Sequence, residues 1–133
     1  MLVDATGIPL ACQISAANKH DVTMLLPTLT AIPLRLLPHR KDDPLPEQIL
    51  GDRAYDSQQH RQFLEWFDIV PTLAARNSEH GSGLGTQRYV VEQTIAAIRQ
   101  NRRLKIRYEK RSDIHHAFLI VACIKVCWNR LLN

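Results

Sequence analysis

The chain has 133 residues, 45% of them apolar, and a formal net charge of +4 with the histidines neutral. That size and apolar content fit one ordinary domain with a buried core and exclude a disordered chain. The three cysteines, Cys12, Cys123 and Cys127, make an odd count that fits a reducing compartment better than a disulfide framework.

In chain order, Met1 to Ala16 predict a hairpin. "MLV" and "IPLACQIS" are its strands, and "DATG" is the turn, with Asp4 and Gly7 as natural turn residues. "NKHDVTMLLPTLTAIPLRLL" has partly helical spacing, with Asn18 or Asp21 as a cap and Pro27 and Pro33 as points of kinking or termination. "PHRKDDPLPEQ" is a polar, proline-rich loop, and "QILGD" a short buried strand. "SQQHRQFLEWF" is a helix capped by Ser57, with Phe63, Leu64 and Phe67 turned inward, and "DIVPTLAA" is a further strand. "RNSEHGSGLGTQ" is a glycine-rich loop, "RYVVEQTIAAIRQ" a helix, and "SDIHHAFLIVACIKVCWNRLL" a last, mostly buried helix with Ser112 or Asp113 as its cap. The order β-β-α-β-α-β-α-α is that of an α/β domain with a mixed sheet, spanning residues 1–133 without repeats.

No secretory signal opens the chain, because Asp4 and Pro9 interrupt the early apolar residues. The longest apolar run, Ala117 to Trp128, is broken by Lys125 and is too short to span a bilayer. These features point to a cytoplasmic protein without a membrane partner. Cys123 and Cys127, one helical turn apart among Ile, Val and Trp, read as core residues. Zinc is weakly supported, because His115 and His116 are close in sequence but no second suitable pair accompanies them.

Charge is concentrated in "RQNRRLKIRYEKR", Arg99 to Arg111, where seven of thirteen residues are Lys or Arg and one is acidic. A solvated helix face and an anion-binding surface are equally good readings of such a block on its own.

Two carboxylates stand out. Asp52 ends the apolar strand "QILGD", and in open α/β sheets the carboxyl ends of strands are where ligands gather. The ordinary reading of such a residue is a turn or cap. In the helix from Arg88, Val91, Ile95 and Ile98 share one face at roughly 100° per residue, and Arg88, Glu92 and Arg99 share the adjacent one within about 40°. Here the ordinary reading is surface ion pairing, worth a few tenths of a kcal/mol. A strand-end carboxylate and a helix carboxylate can also converge on hard divalent cations, and a basic segment beside them can hold a phosphate backbone.

"ILGDRAYDS", a gap of about forty residues and "RYVVEQTIAAIRQNRRLKIRYEK" together resemble the C-terminal part of a bacterial insertion-sequence transposase of the DDE class. "LVDATGIPLACQISAANKHDV" resembles the segment that follows the first catalytic strand in that class, so the resemblance covers essentially the whole chain. It implies a ribonuclease-H-like fold, a mixed sheet with flanking helices. It also implies Mg²⁺- or Mn²⁺-dependent cleavage and strand transfer of DNA at insertion-sequence ends and target, near the nucleoid. Asp52 takes the place of the second catalytic Asp and Glu92 that of the catalytic Glu, both as metal ligands. Arg88 and Glu92 match the Arg-x3-Glu part of the class's Tyr-x2-Arg-x3-Glu-x6-Lys signature. Gly85 stands in place of the Tyr and Arg99 in place of the Lys. Arg88, Arg99, Arg102, Arg103, Lys105 and Arg107 become the expected DNA contacts.

The class's first catalytic Asp lies on a strand upstream of the hairpin, and Met1 falls inside what resembles the second strand. Asp4 reads as a turn residue and Asp21 as a helix start, so neither replaces it. The expectation is therefore a domain lacking its first, central strand, either a degenerate copy or the second frame of a split gene. Its partner would be an upstream transposase fragment or a second copy. Met1–Asp4 would either pair directly with Gln48–Asp52 or leave a gap between them. A non-catalytic DNA-binding or regulatory remnant is the alternative, and a ribonuclease-H-like nuclease without transposition a third.

Overall fold

The computed structural model describes residues 1–32, 45–74 and 85–132. Residues 38–44 of the proline-rich loop, Pro33 and residues 76–84 of the glycine-rich loop lie outside them, and the last three residues expected in that loop, from Gly85, already belong to a helix. Nine elements follow in order: β1 (Leu2–Val3), β2 (Pro9–Ala11), α1 (Leu25–Thr30), β3 (Gln48–Gly51), α2 (Gln58–Trp66), β4 (Val70–Leu73), α3 (Gly85–Arg99), α4 (Arg102–Lys105) and α5 (Ser112–Leu131). Short 3-10 turns precede α1 at Asp21–Met24 and follow β3 at Arg53–Tyr55.

The β1–β2 hairpin forms as the turn residues dictate. One oxygen of Asp4 accepts from the Thr6 amide at 2.9 Å, the Thr6 hydroxyl at 2.8 Å and the Ile8 amide at 2.8 Å. Gly7 takes φ +89°, a left-handed conformation open to glycine at little cost. Asp4 is thus a turn residue, as its sequence context indicates. Burial pushes its carboxyl up, but the hydrogen bonds from Ile8 and Thr6 outweigh that, and it is held below the ordinary carboxylate range.

β3 and β4 pair in parallel, Gln48 to Val70 through Gly51 to Leu73, with α2 as the crossover. Ser57 caps α2 by accepting from the His60 amide. Leu64 is fully buried, but Phe67 is 41% exposed, because α2 ends at Trp66 and the chain turns through Asp68 at φ 57°. The inward position expected for Phe67 is therefore corrected.

A single mixed sheet was expected, and two separate two-stranded sheets are found. β1 pairs only with β2, in an antiparallel ladder. A small, mostly apolar cavity of about 60 Å³ is lined by Met1 and Leu2 of the hairpin, Leu25, Thr28 and Leu29 of α1, Ile49 and Leu50 of β3, and Tyr55. Direct pairing of Met1–Asp4 with Gln48–Asp52 is not found, since the two strands belong to separate sheets.

Two cores hold these parts together. One gathers Leu25 and Leu29 of α1, Ile49 of β3, Leu64 of α2, Ile69 and Ala11 of β2. The other gathers Ile98 of α3 with Ala122 and Cys123 of α5, and Met1, Cys12 and Leu104 pack on it. The hairpin touches both, so it joins the β3–β4 half to the helical half. Burying a side chain such as Leu64 or Ile69 contributes about 2 kcal/mol.

Several caps and burial expectations need correction, beginning with the strand expected to be buried, where only Ile49 of β3 is buried and Gln48 and Leu50 are exposed. The turn at Asp21 starts without a side-chain cap, and so does α5, whose N-cap position is Arg111 rather than Ser112 or Asp113. α5 is not mostly buried: Val121 is 62% and Trp128 60% exposed. Its apolar residues run around much of the helix, and only one side meets α3 and the hairpin.

Candidate functional site

Asp52 follows directly on β3 and caps the Arg53–Tyr55 turn, one carboxylate oxygen accepting from the Ala54 amide at 2.8 Å. The capping role of a strand-end carboxylate is therefore present. It uses one oxygen, and the residue remains exposed. The preceding Gly51 is where the chain passes closest to β4. A Cβ there would stand 2.7 Å from Leu73 Cδ2, so the lack of a side chain lets the strand end pack before Asp52 turns outward.

The turn after Asp52 touches the Asp21–Met24 turn. Burial raises the Tyr55 hydroxyl pKa, and the nearby charges of Asp21 and Asp52 raise it further. Asp21 therefore belongs to the surroundings of Asp52. Its sequence context is that of a helix start, and nothing in that local pattern signals a contact made 31 positions away.

Glu92 lies on α3, which packs against β3, β1 and α5. Among the described side chains of α3, Thr94 and Ile98 are buried, while Val91 and Ile95 are half-buried. The buried meridian is thus turned away from the stripe read from apolar residues alone, because Thr94 belongs to it. Glu92 consequently faces solvent, close to opposite the buried side instead of beside it.

On that solvent face Glu92, Ile95, Ala96, Arg99 and Gln100 of α3 and its end line a shallow, wide-open groove together with Lys105 of α4. The basic segment does not continue α3. Asn101 breaks the helix, its amide donating to the Ile98 carbonyl, and α4 restarts at Arg102. That break carries Lys105 round to the same groove as Glu92 and Arg99.

The remaining basic residues divide by partner. Arg103 is ion-paired with Glu109, the one acidic residue of the run, and its guanidinium lies 5.3 Å from the Phe118 ring centre. The Glu109 carboxyl is held below its ordinary range, chiefly by that hydrogen bond from Arg103. Arg107 Nε donates to the Glu109 carbonyl at 3.1 Å, and Arg111 pairs with Asp113. Arg99, Arg102 and Lys105 are exposed and have no ion-pair partner among the described residues. Arg88 falls on the first turns of α3, and its side chain lies outside the described residues.

The donor chemistry at Asp52 and Glu92 is that of hard divalent cations. Among the described residues, however, no group of three or more His, Cys, Asp or Glu side chains is arranged to hold a metal ion. Asp52 does not line the groove that holds Glu92, so no shared Asp52–Glu92 pocket is found among the described residues. The cysteines do not make a metal site either. Cys123 is buried, and its thiol is pushed up to about 12, first by burial and then by Cys12 and Cys127 beside it, which marks an inert core thiol.

Residues 1–127 match the family described as the transposase DDE domain. The chain belongs to the insertion-sequence DDE transposase family. It is 47% identical over 135 aligned residues, 98% of its length, to a Burkholderia cepacia protein named as a transposase for insertion sequence element IS402. The chain spans 62% of that transposase's length. No solved structure matches it. DDE transposases as a class depend on divalent metals and act on DNA, which gives the exposed Glu92–Arg99–Lys105 groove a chemical context.

Proposed function

We propose that this chain is the C-terminal catalytic portion of a transposase with a ribonuclease-H-like fold, acting in the cytoplasm on DNA at insertion-sequence ends and target. The observation that carries this reading is the groove in which the helix carboxylate Glu92 shares a surface with Arg99 and Lys105, within a chain of the DDE family. Arg99, Arg102 and Lys105 bind phosphate oxygens and set the register of the DNA backbone. Asp52 and Glu92 are two oxygen donors toward Mg²⁺ or Mn²⁺, and the third donor comes from elsewhere in the transposase. When bound, such cations stabilise the attacking and leaving oxygens of an in-line phosphodiester displacement. Arg88, on the helix one turn before Glu92, orients that carboxylate or reaches phosphate.

The ribonuclease-H-like reading is compatible with the separation of the β1–β2 and β3–β4 sheets, which a central strand from the rest of the transposase would join.

A second reading, a non-catalytic DNA-binding or regulatory remnant, is favoured by the absence of a three-ligand cluster among the described residues. Cleavage assays separate the two. The chain is co-expressed with the upstream part of the transposase and supplied with insertion-sequence-end DNA and Mg²⁺. Cleavage that disappears in Asp52→Asn while DNA affinity persists supports the catalytic reading. DNA binding without any cleavage establishes the remnant.

A further inference from the structure

α5 carries a second apolar stripe that the fold does not use. Ile114, Ala117, Val121, Ile124, Trp128 and Leu131 are all exposed. Their spacing alternates strictly between three and four residues across the helix, which is the seam of a helix that packs lengthwise on another helix. The opposite side of α5, through Ala122 and Cys123, is already buried in the core around Ile98. The seam carries no charge. Lys125, at its margin, reaches toward Asn101 Oδ1 at 3.5 Å.

We propose that this stripe is a homodimer interface, in which α5 packs antiparallel on α5 of a second copy. Two observations fix the occupant and its direction. The first is area. With Ile120 and Leu132 at its edges, the exposed apolar surface is on the order of 800 Å², above the patch of a typical monomer and equal to one partner's share of a standard interface. The second is the size pattern along the seam. An antiparallel pair centred between Val121 and Ile124 sets Ile114 against the partner's Leu131, Val121 against the partner's Ile124, and Ala117 against the partner's Trp128. The largest side chain then meets the smallest, and the seam fills evenly. A parallel pair in register sets Trp128 against the partner's Trp128 and Ala117 against the partner's Ala117, overfilled at one layer and empty at the other. Antiparallel packing also opposes the two helix dipoles.

A bilayer is a poorer occupant. α5 has the length and apolarity of a spanning helix, but its other side is committed to the core around Ile98, which it would have to leave to cross a bilayer.

Sedimentation equilibrium of the 133-residue chain over a concentration series tests the inference, with circular dichroism as the check on folding. The wild-type chain is expected to dimerise. Val121→Glu, at an exposed position, is expected to keep the helical spectrum and raise the dissociation constant about 30-fold or more, the loss typical of a central interface residue. Ala117→Trp is expected to weaken the dimer, and the double change Ala117→Trp with Trp128→Ala to restore it. A folded wild-type chain that stays monomeric overturns the proposal. So does self-association indifferent to Val121→Glu. So does a monomer whose stripe instead binds phosphatidylcholine vesicles and loses that binding in Val121→Glu.

Discussion

The hydroxyl of Thr94 on α3 donates to the carbonyl of Gly7 at the hairpin turn, at 2.8 Å and across 87 positions of sequence. This buried contact ties the helix that carries Glu92 to the hairpin that joins the two cores. Thr94→Val keeps the shape and removes the donor, leaving a buried carbonyl short of a partner. The expected loss is about 1–3 kcal/mol, read from the midpoint of urea unfolding. Gly7→Ala should also destabilise the chain. The alanine Cβ would stand 3.0 Å from Thr94 Oγ1 at a φ of +89°, so both the space and the backbone resist it.

DNA binding should draw on the basic residues unequally. Arg102→Gln and Lys105→Gln each remove an exposed cation without an ion-pair partner. Each is expected to lower the slope of log affinity against log salt by about 0.9 for duplex DNA. Arg103→Gln should lower it less, because Arg103 already faces Glu109 and Phe118, and it should disturb the turn between α4 and α5. Equal slopes for all three variants would show that the Glu109 pair opens on DNA.

Acid sensitivity follows from the hairpin. The Asp4 carboxyl is held below its ordinary range in the folded chain, because the hydrogen bonds from Ile8 and Thr6 outweigh the effect of burial. A depressed folded pKa contributes stability that is fully present above the unfolded value and is lost as pH falls through the folded one. The hairpin contribution should therefore persist at neutral pH and fade from about pH 4 downward. Asp4→Asn should flatten that part of the profile of unfolding midpoint against pH.

Local patterns carried much of this fold. "DATG" announced the hairpin turn, Ser57 the start of α2, and the parallel pairing of "QILGD" with "DIVPTLAA" followed from the helix between them. What failed was long-range. The buried side of α3 turned on Thr94, a polar residue whose place in the core depends on a carbonyl 87 positions away, and apolar periodicity cannot register that. α5 looked buried because its residues are apolar on most sides, yet composition does not say which side has a neighbour. In the candidate site, Asp52 and Glu92 were legible as a strand end and a helix position. Asn101, which breaks the basic run and brings Lys105 to the groove, was hidden inside a stretch read only for its charge. The Arg103–Glu109 pair was hidden for the same reason.

Asp52 and Glu92 are proposed to serve one divalent-cation site, and Asp52 does not line the groove that holds Glu92 in the isolated chain. Titration of the ¹⁵N-labelled chain with Mn²⁺, observed by paramagnetic broadening of amide signals, tests it most directly. Asp52→Asn keeps a side-chain oxygen for the Ala54 amide, so the turn should survive in that variant. Amides around Asp52 and around Glu92 are expected to broaden together at the same Mn²⁺ concentration, and both to recover in Asp52→Asn. Broadening at only one of the two, or broadening around Glu92 that persists in Asp52→Asn, would contradict it.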